Sequence, residues 1–226
     1  MNSKIKAILL IGGNSQIGNA LSTGIAQRLN ITDLIRIVRT ESSISRDNEL
    51  IHKVEKYSDF DYQVLGARYQ LEAVVVSFGV LQSEANLRSS LEANISVNTF
   101  ETLKTLEKLI LSGVVNPDTE IHFTSSLLAD FTRESVFGYA TSKYLTEQVL
   151  IREIKPVHKP LYIWKLAFVE STMNAHRKPS SIRISLEAIT RYAKIQKRPG
   201  IHYVPRFSKY PSILLKALPQ LHRHIK

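Results

Sequence analysis

The sequence predicts an α/β fold in which helices flank a central parallel sheet on both faces. Several short apolar runs do not alternate with polar residues, which is typical of parallel strands that are covered on both sides. Stretches with a helical period separate these runs, as expected of a doubly wound sheet. With 226 residues, 43% of them hydrophobic, the chain is long enough for one core, and we expect residues 1–226 to form a single domain.

A glycine turn follows the first predicted strand. Lys4 to Gly13 is predicted to be a buried strand that ends in this turn, and a helical segment follows. Such a turn lets the backbone approach a pyrophosphate, and the helix N-terminus adds free N–H groups and partial positive charge. Gly12 and Gly18 bracket the turn, but Ser15 or Gln16 replaces the middle glycine of a dinucleotide fingerprint, depending on the spacing chosen. A plain strand-to-helix turn is the alternative.

The second strand, predicted over Asp33 to Arg39, ends on a basic residue. In a doubly wound nucleotide-binding fold, an acid at this position binds the ribose hydroxyls and selects NAD, whereas an arginine can hold a 2′-phosphate. Arg39 therefore predicts NADP(H) in preference to NAD(H). A surface base without a ligand is the alternative.

The middle of the chain is less regular. Glu41 to Ala67 is polar and poorly periodic, and we assign it as helix, short strand and loop. Glu72 to Gly79 is predicted to be a buried strand that ends in a turn at Ser77-Phe78-Gly79, and cofactors of such sheets bind at this end. Glu84 to Leu111 is predicted to be helical. It contains Asn94 and Asn98, each of which either has a polar role or faces water.

Two serines mark the end of the strand predicted over Glu120 to Thr124. Small hydroxyls at the carboxyl end of a strand are candidates for a site in an α/β sheet, although a turn or helix cap uses the same residues. Ser125 and Ser126 are therefore both candidates.

The helix predicted over Tyr139 to Ile154 carries a tyrosine and a lysine four positions apart. Residues at this spacing lie on one face of a helix, roughly 5 to 6 Å apart. The ammonium of Lys143 would stabilise a phenolate at Tyr139 and lower the pKa of that phenol from its usual value near ~10. Tyr139 would then be a proton donor at neutral pH. An exposed tyrosine and lysine without a chemical role are the alternative.

The last quarter of the chain carries the excess charge. We predict a strand over Leu161 to Val169, an amphipathic helix over Ser180 to Gln196, a short strand over Ile201 to Val204, and a short apolar helix over Pro211 to Ile225. Residues 174–226 hold twelve Lys or Arg and one acid, a charge of +11, whereas the whole chain carries +10. Such a segment attracts phosphates or anionic lipid, or it is only a solvated basic surface.

Composition narrows the classes of function. The chain has no cysteine, so thiolate and disulfide chemistry are excluded, and we assign no residues to a metal. Without an apolar run of the ~18 residues that a membrane span needs, we expect a cytoplasmic protein. The alternative is a peripheral membrane contact through the basic C-terminal segment. No motif that reads nucleic acid is recognised, and we expect no nucleic-acid partner.

Taken together, these motifs resemble the short-chain dehydrogenase/reductase family over roughly Lys4 to Met173. The glycine turn follows the first strand, and the Ser-Ser strand end precedes a Tyr-x-x-x-Lys helix. Ser126 lies thirteen positions before Tyr139, the separation usual in the family. The segment Gly138 to Lys143 is also similar to the start of the family's catalytic helix.

The resemblance implies a role for each matching residue. Tyr139 would be the general acid in carbonyl reduction, and Lys143 would lower its pKa and hold the nicotinamide ribose. Ser126 would orient the substrate oxygen, with Ser125 as the second choice. Asn98 best matches the family's relay asparagine, with Asn94 as the alternative. The remaining cofactor contacts would come from Gly12, Asn14, Ser15, Ile17 and Gly18 at the pyrophosphate, Ser77 and Gly79 near the ribose, and Val169 and Thr172 near the carboxamide.

The resemblance also implies an activity. We expect an NADP(H)-dependent oxidoreductase with a Rossmann-type fold that transfers hydride between nicotinamide and a carbonyl or secondary alcohol, working as a homodimer or homotetramer. The segment Tyr203-Val204-Pro205-Arg206 and the later Leu218-Pro219 weakly resemble the C-termini of family members that act on lipid-linked sugars. The substrate would thus be a sugar or a phosphate-bearing or lipid-linked molecule. A non-catalytic NADP(H) sensor or partner-docking protein is the alternative, favoured by the altered glycine turn and by Leu166-Ala167, which stand where the family has Pro-Gly.

Overall fold

The computed structural model describes residues 3–40, 49–81, 87–130, 136–170, 183–206 and 209. Within these residues, seven parallel strands form one sheet in the order β3-β2-β1-β4-β5-β6-β9, and two short strands, β7 and β8, pair separately. The strands are β1 (Ile5–Ile11), β2 (Asp33–Val38), β3 (Glu49–Lys53), β4 (Tyr69–Val76), β5 (Glu120–Ser126), β6 (Leu161–Leu166), β7 (Phe168–Val169), β8 (Arg183–Ile184) and β9 (Gly200–Val204).

Helices cover both faces of the sheet. Their bounds are α1 (Gln16–Leu29), α2 (Gln63–Gly66), α3 (Leu87–Ile95), α4 (Thr102–Leu111), α5 (Phe137–Val149) and α6 (Leu186–Ile195), with π-helical turns at Ser96–Glu101 and Leu150–Ile154. One apolar core joins α1 and α6 to one face, and a second core joins α2 and α4 to the other. Residues of β1 and β4 contribute to both cores, which explains why these strands are apolar without alternation.

The predicted fold class is confirmed, and the differences concern element ends. The helix predicted from Ser180 begins only at Leu186, because Ser185 caps it with a hydrogen bond from the Ala188 N–H (3.2 Å), and Arg183–Ile184 is a strand instead. The strand predicted over Leu161 to Val169 is interrupted at Ala167, whose N–H donates to the Val204 carbonyl (3.0 Å). The helix predicted over Pro211 to Ile225 lies outside the described residues.

The strand order reverses between β1 and β4. From β1 the chain winds outward through β2 to β3, and it then returns to β4 and winds the other way through β5, β6 and β9. Ligands of open α/β sheets bind at such a switch point, beyond the carboxyl ends of the strands. The turn after β1 and the residues after β4 and β5 are therefore the place to look for a site. In the part of the chain described, no helix is both long and apolar enough to cross a bilayer.

Candidate active site

The glycine turn after β1 packs directly on the end of β4. Gly12 has φ +91°, and a Cβ added to it would lie 2.5 Å from the Ser77 carbonyl oxygen. A Cβ on Gly18, in the first turn of α1, would lie 2.7 Å from the Ser77 Cβ. Both positions therefore need glycine for a close approach, and Gly12 also needs it for its backbone conformation.

We expect Gly12→Ala to destabilise the protein by about 3 kcal/mol, because positive φ and overpacking each cost about 1–3 kcal/mol. Gly113 is the matched control, since it has φ +71° but no atom within 4 Å of an added Cβ. Gly113→Ala should cost only the backbone term, about 1 kcal/mol. Urea denaturation of both variants measures the difference, and equal losses would contradict the predicted contact at Ser77.

The residues inside the turn are held by local hydrogen bonds. The Ser15 hydroxyl caps α1 by accepting from the Gly18 N–H (3.1 Å), and it also lies 2.9 Å from the Ser77 hydroxyl. Asn14 is exposed, and its amide donates to the Thr40 hydroxyl (2.8 Å). Ile17 is half-buried. Ser15 thus joins the β1–α1 turn to Ser77 just beyond β4.

Arg39 is exposed just beyond β2, and an aromatic side chain supports it. Its guanidinium carbon lies 5.5 Å from the centroid of the Tyr57 ring, within the range of a cation–π contact. Tyr57 is buried against Phe78, with ring centroids 4.3 Å apart. Burial raises the pKa of Tyr57, so the phenol stays neutral near pH 7. Sequence reasoning missed Tyr57, because it lies in the poorly periodic stretch Glu41 to Ala67.

Asn98 lies in the π-helical turn and binds the backbone of the segment that follows β4. Its side chain is fully buried; the oxygen accepts from the Val80 N–H (2.8 Å), and the amide donates to the Val80 carbonyl (2.9 Å) and to the Ser142 hydroxyl (3.0 Å). A Cβ on Gly79 would lie 2.6 Å from the Asn98 side-chain oxygen and 3.4 Å from Lys143 Nζ. Asn98 thus joins the β4 end to α5, and π-helical turns often occur at functional positions.

Asn94, the alternative to Asn98, lies one turn earlier and is also buried. Its amide donates to the Ser90 carbonyl (2.7 Å), and its oxygen lies 3.3 Å from the Asn98 amide. Asn94 therefore packs behind Asn98, and in the described residues only Asn98 of the two binds Val80, in the segment that follows β4.

Lys143 is the buried charge of the site. Only 4% of the residue is exposed, and Nζ donates to the Thr124 carbonyl (3.1 Å) and lies 6.0 Å from the centroid of the Tyr139 ring. The predicted proximity of Tyr139 and Lys143 is present. Burial lowers the pKa of Lys143 to about 8, although the nearby Glu147 carboxylate opposes the change. Lys143 is therefore still mostly charged at pH 7.

The two serines at the end of β5 face different surroundings. Ser125 is buried and donates its hydroxyl hydrogen bond to the Glu147 carboxylate. Ser126 is half-buried, and its hydroxyl accepts from the Leu128 N–H (3.2 Å). Ser126 is therefore the more accessible of the pair. Val169 is buried in β7, and Thr172 lies outside the described residues.

Sequence reasoning also missed a group of buried charges beside Ser125. Lys165 Nζ lies 2.7 Å from a Glu147 carboxylate oxygen and pairs with Asp130 as well. Two signals could have pointed to it: Lys165 is an ionisable residue in an apolar strand, and Glu147 follows Lys143 at the spacing that joins Tyr139 to Lys143. No group of three or more His, Asp or Glu side chains within the described ranges could hold a metal ion.

No protein-family model matches the sequence, and no curated protein matches it. Solved structures, in contrast, match the fold of the chain. A short-chain dehydrogenase from Burkholderia cenocepacia, in complex with NADP, matches with a TM-score of 0.79 and 15% identity over 100% of this chain and 99% of that one.

Two further structures show the same likeness. A 3-oxoacyl-[acyl-carrier protein] reductase from Brucella melitensis, in complex with NAD, matches with a TM-score of 0.68 and 14% identity over 85% of this chain and 90% of its own. An alcohol dehydrogenase from Thermococcus sibiricus, complexed with 5-hydroxy-NADP, matches with a TM-score of 0.67 and 16% identity over 88% of this chain and 96% of its own. The chain therefore has the Rossmann-type fold of short-chain dehydrogenases and reductases.

Proposed function

We propose that this protein is an NADP(H)-dependent oxidoreductase that interconverts a carbonyl group and a secondary alcohol. The observation that carries the proposal is the buried ammonium of Lys143, which lies at the carboxyl end of β5 and 6.0 Å from the Tyr139 ring. A buried charge of this kind costs free energy, and its position at the carboxyl end of the strands, where ligands of open α/β sheets bind, favours a catalytic role. Structural neighbours in complex with NADP or NAD support a nicotinamide cofactor in general, and the preference for NADP(H) rests on Arg39.

The chain offers a fitting cradle for such a dinucleotide. The turn at Gly12 leaves no room for a side chain, and the N-terminus of α1 supplies N–H groups for a pyrophosphate. Arg39 is exposed at the end of β2, where it would bind a 2′-phosphate. The other residues that would hold the cofactor are Asn14, Ser15, Ile17 and Gly18 at the pyrophosphate, Ser77, Gly79, Tyr139 and Lys143 near the ribose, and Val169 and Thr172 near the carboxamide.

Each catalytic side chain would have a separate task. A bound nicotinamide would supply hydride to the substrate carbon or accept it. Tyr139 would give its phenolic proton to the carbonyl oxygen during reduction and take it back during oxidation. Lys143 would hold positive charge beside that phenol, and Ser126 would donate a hydrogen bond to the same oxygen. Asn98 would hold the segment after β4 against α5 through its bonds to Val80 and Ser142.

The class of substrate follows from the distribution of charge. Residues 174–226 carry +11, which favours an anionic partner such as a phosphate-bearing sugar or a lipid-linked intermediate. Contact of the same segment with anionic lipid would bring the protein to a membrane surface. We further propose a cytoplasmic homodimer or homotetramer built from a single domain.

Arg39→Asp tests the cofactor assignment. Loss of charge-assisted hydrogen bonds worth about 1.5–3 kcal/mol, together with new repulsion, should raise the Kd for NADPH about 100-fold, and the Kd for NADH should change less than about threefold. Nicotinamide fluorescence titration measures both constants.

Arg68→Asp is the matched control. Arg68 also lies over a tyrosine ring, 5.3 Å from the centroid of Tyr69, but it precedes β4 and so lies at the amino ends of the strands, whereas Arg39 lies at their carboxyl ends. It should leave both Kd values unchanged. Equal losses for NADPH and NADH in Arg39→Asp would contradict a 2′-phosphate contact. Selective NADPH binding without oxidation in the presence of any carbonyl substrate would favour the sensor alternative.

A further inference from the structure

Three ionisable side chains form a buried ion cluster, defined here as Asp130, Glu147 and Lys165. Their side chains are 0%, 2% and 2% exposed. Lys165 Nζ pairs with Asp130 and lies 2.7 Å from Glu147 Oε2, while the other Glu147 oxygen accepts from the Ser125 hydroxyl. Burying two carboxylates and an ammonium costs free energy of desolvation even when they are paired. The cluster therefore calls for an explanation other than stability.

The ion cluster holds the strand end that carries Ser126 from both sides. On one side, Ser125 precedes Ser126 and is bound to Glu147. On the other side, a 3₁₀ turn at Leu127–Ala129 leads from Ser126 to Asp130, which is bound to Lys165. Lys165 of β6 lies beside Ser125 in the sheet register. The backbone of Ser126 is therefore fixed by contacts to α5 and to β6.

The ion cluster also sets the charge around Lys143. Glu147 follows Lys143 by one turn of α5, and its carboxylate favours the charged form of Lys143. Among the described residues, the other groups near Lys143 Nζ are the Thr124 carbonyl, the rings of Phe123 (4.9 Å to its centroid) and Tyr139, and the Asn98 side chain across Gly79. Lys165 pairs with both Glu147 and Asp130.

Counting these charges shows why Glu147 matters. Burial raises the pKa of Glu147, but the Lys165 ammonium and the hydrogen bond from Ser125 favour its charged form. With both carboxylates charged, Glu147 and Asp130 balance the ammonium groups of Lys143 and Lys165. Without the Glu147 carboxylate, one carboxylate would remain for two ammonium groups. A buried ammonium without compensation loses its proton more readily, and Lys143, which has no ion pair of its own in the described residues, would lose it first.

We propose that Glu147 is a positioning residue of the active site: held by Ser125 and Lys165, its carboxylate keeps Lys143 charged and fixes the strand end that carries Ser126. The inference deepens the proposed function and rests on the role given there to Lys143. It assigns Glu147 no contact with substrate or cofactor.

Glu147→Gln tests the proposal, because the amide keeps the size and the acceptor for Ser125 but removes the charge. The side-chain carbon Cε of lysine reports its protonation in ¹³C NMR, and the signal of Lys143 is assigned by its loss in Lys143→Met. We expect the titration midpoint of Lys143 to fall by about one pH unit or more in Glu147→Gln. Glu147→Asp, which restores the charge, should return the midpoint to within a few tenths of the wild-type value.

Glu120→Gln is the matched control. Glu120 lies at the opposite end of β5, where Arg28 and His122 bind it, and its removal should leave the Lys143 midpoint unchanged. If Glu147→Gln does not fold, the triple variant Asp130→Asn/Glu147→Gln/Lys165→Met replaces all three charges of the ion cluster by uncharged groups of similar size. It should also lower the midpoint, because Lys143 then has no carboxylate of the cluster to balance it. An unchanged midpoint in the variant that folds would overturn the proposal.

Titration with NADPH from pH 6 to pH 9.5 separates this inference from the proposed function. In wild type the Kd should rise above about pH 8, and in Glu147→Gln the rise should begin about one pH unit lower, giving about threefold weaker binding at pH 7.5. A lowered Lys143 midpoint with no NADPH binding by wild type would leave the electrostatic role of Glu147 in place and refute the cofactor. NADPH binding with the same pH dependence in both proteins would refute the role of Glu147.

Discussion

Tyr139→Phe is expected to lower kcat about 1,000-fold while changing the Kd for NADPH less than about twofold. A positioned general acid contributes about 10²–10⁴ to the rate, and phenylalanine keeps the ring beside Lys143 but has no proton to give. The ring itself is half-buried at the start of α5, so its loss of one hydroxyl should not disturb the fold. Stopped-flow measurement of NADPH oxidation with a reactive ketone, with fluorescence titration alongside, tests both parts.

Tyr144→Phe is the control for this variant. Tyr144 lies on the same helix, is 44% exposed, and lies outside the residues assigned to the site. Its kcat should stay within about twofold of wild type. If Tyr139→Phe keeps more than about a tenth of the wild-type kcat, another group supplies the proton, and the reaction proposed here needs a different acid.

Much of the fold was predictable because its signals are local. Apolar runs such as Ile5–Ile11 and Leu161–Leu166 need no partner to be recognised, and their lack of alternation already indicates cover on both faces. The helix starts were less accurate. The helix predicted from Ser180 begins at Leu186, where the Ser185 hydroxyl caps it by accepting from the Ala188 N–H.

The site was predictable only where its residues are close in sequence or occupy a strand end. Tyr139 and Lys143 share a helix, so their spacing predicted that they lie close together. Ser126 ends a strand and was a candidate for that reason, but its link to Tyr139 was only implied by the resemblance to the family. The support of Arg39 by Tyr57 joins two segments through tertiary packing, and no periodicity indicates such a contact. The choice between Asn94 and Asn98 likewise depends on which one reaches Val80.

The buried charges show most clearly what could not be predicted from the sequence. In the sequence Glu147 resembles any acid on the outer face of a helix, and a solvated position is the ordinary expectation for it. Its partner Lys165 is eighteen positions later, and Asp130 is seventeen positions earlier. The register of β5 with β6 places Lys165 beside Ser125, and the packing of α5 brings Glu147 to both. Patterns within single elements mark Lys165 and Glu147 as unusual, but they cannot show that the two side chains meet.

Lys143→Met is expected to have opposite effects on function and stability. Turnover should fall below detection, because the ammonium beside Tyr139 is lost, and the Kd for NADPH should rise about tenfold with the loss of one charged contact. The protein without cofactor should nevertheless become more stable at pH 7. A Lys143 pKa of about 8 against an ordinary value of 10.5 means that burying the ammonium costs about 3 kcal/mol, and losing the bond to Thr124 offsets about half of that gain.

The pH dependence of the free energy of unfolding identifies the cost of burying the Lys143 ammonium. Below pH 8 the folded and unfolded chains both carry the Lys143 proton, and the penalty is fully present. Between pH 8 and 10.5 the unfolded chain binds more protons than the folded one, so wild-type stability gains from this group as pH rises. Lys143→Met should lack that gain, and Lys104→Met, at an exposed lysine of α4, should keep it. Urea denaturation at pH 7 and pH 10 measures the difference, and an equal change in stability for wild type and Lys143→Met would mean that Lys143 is not buried as a charge.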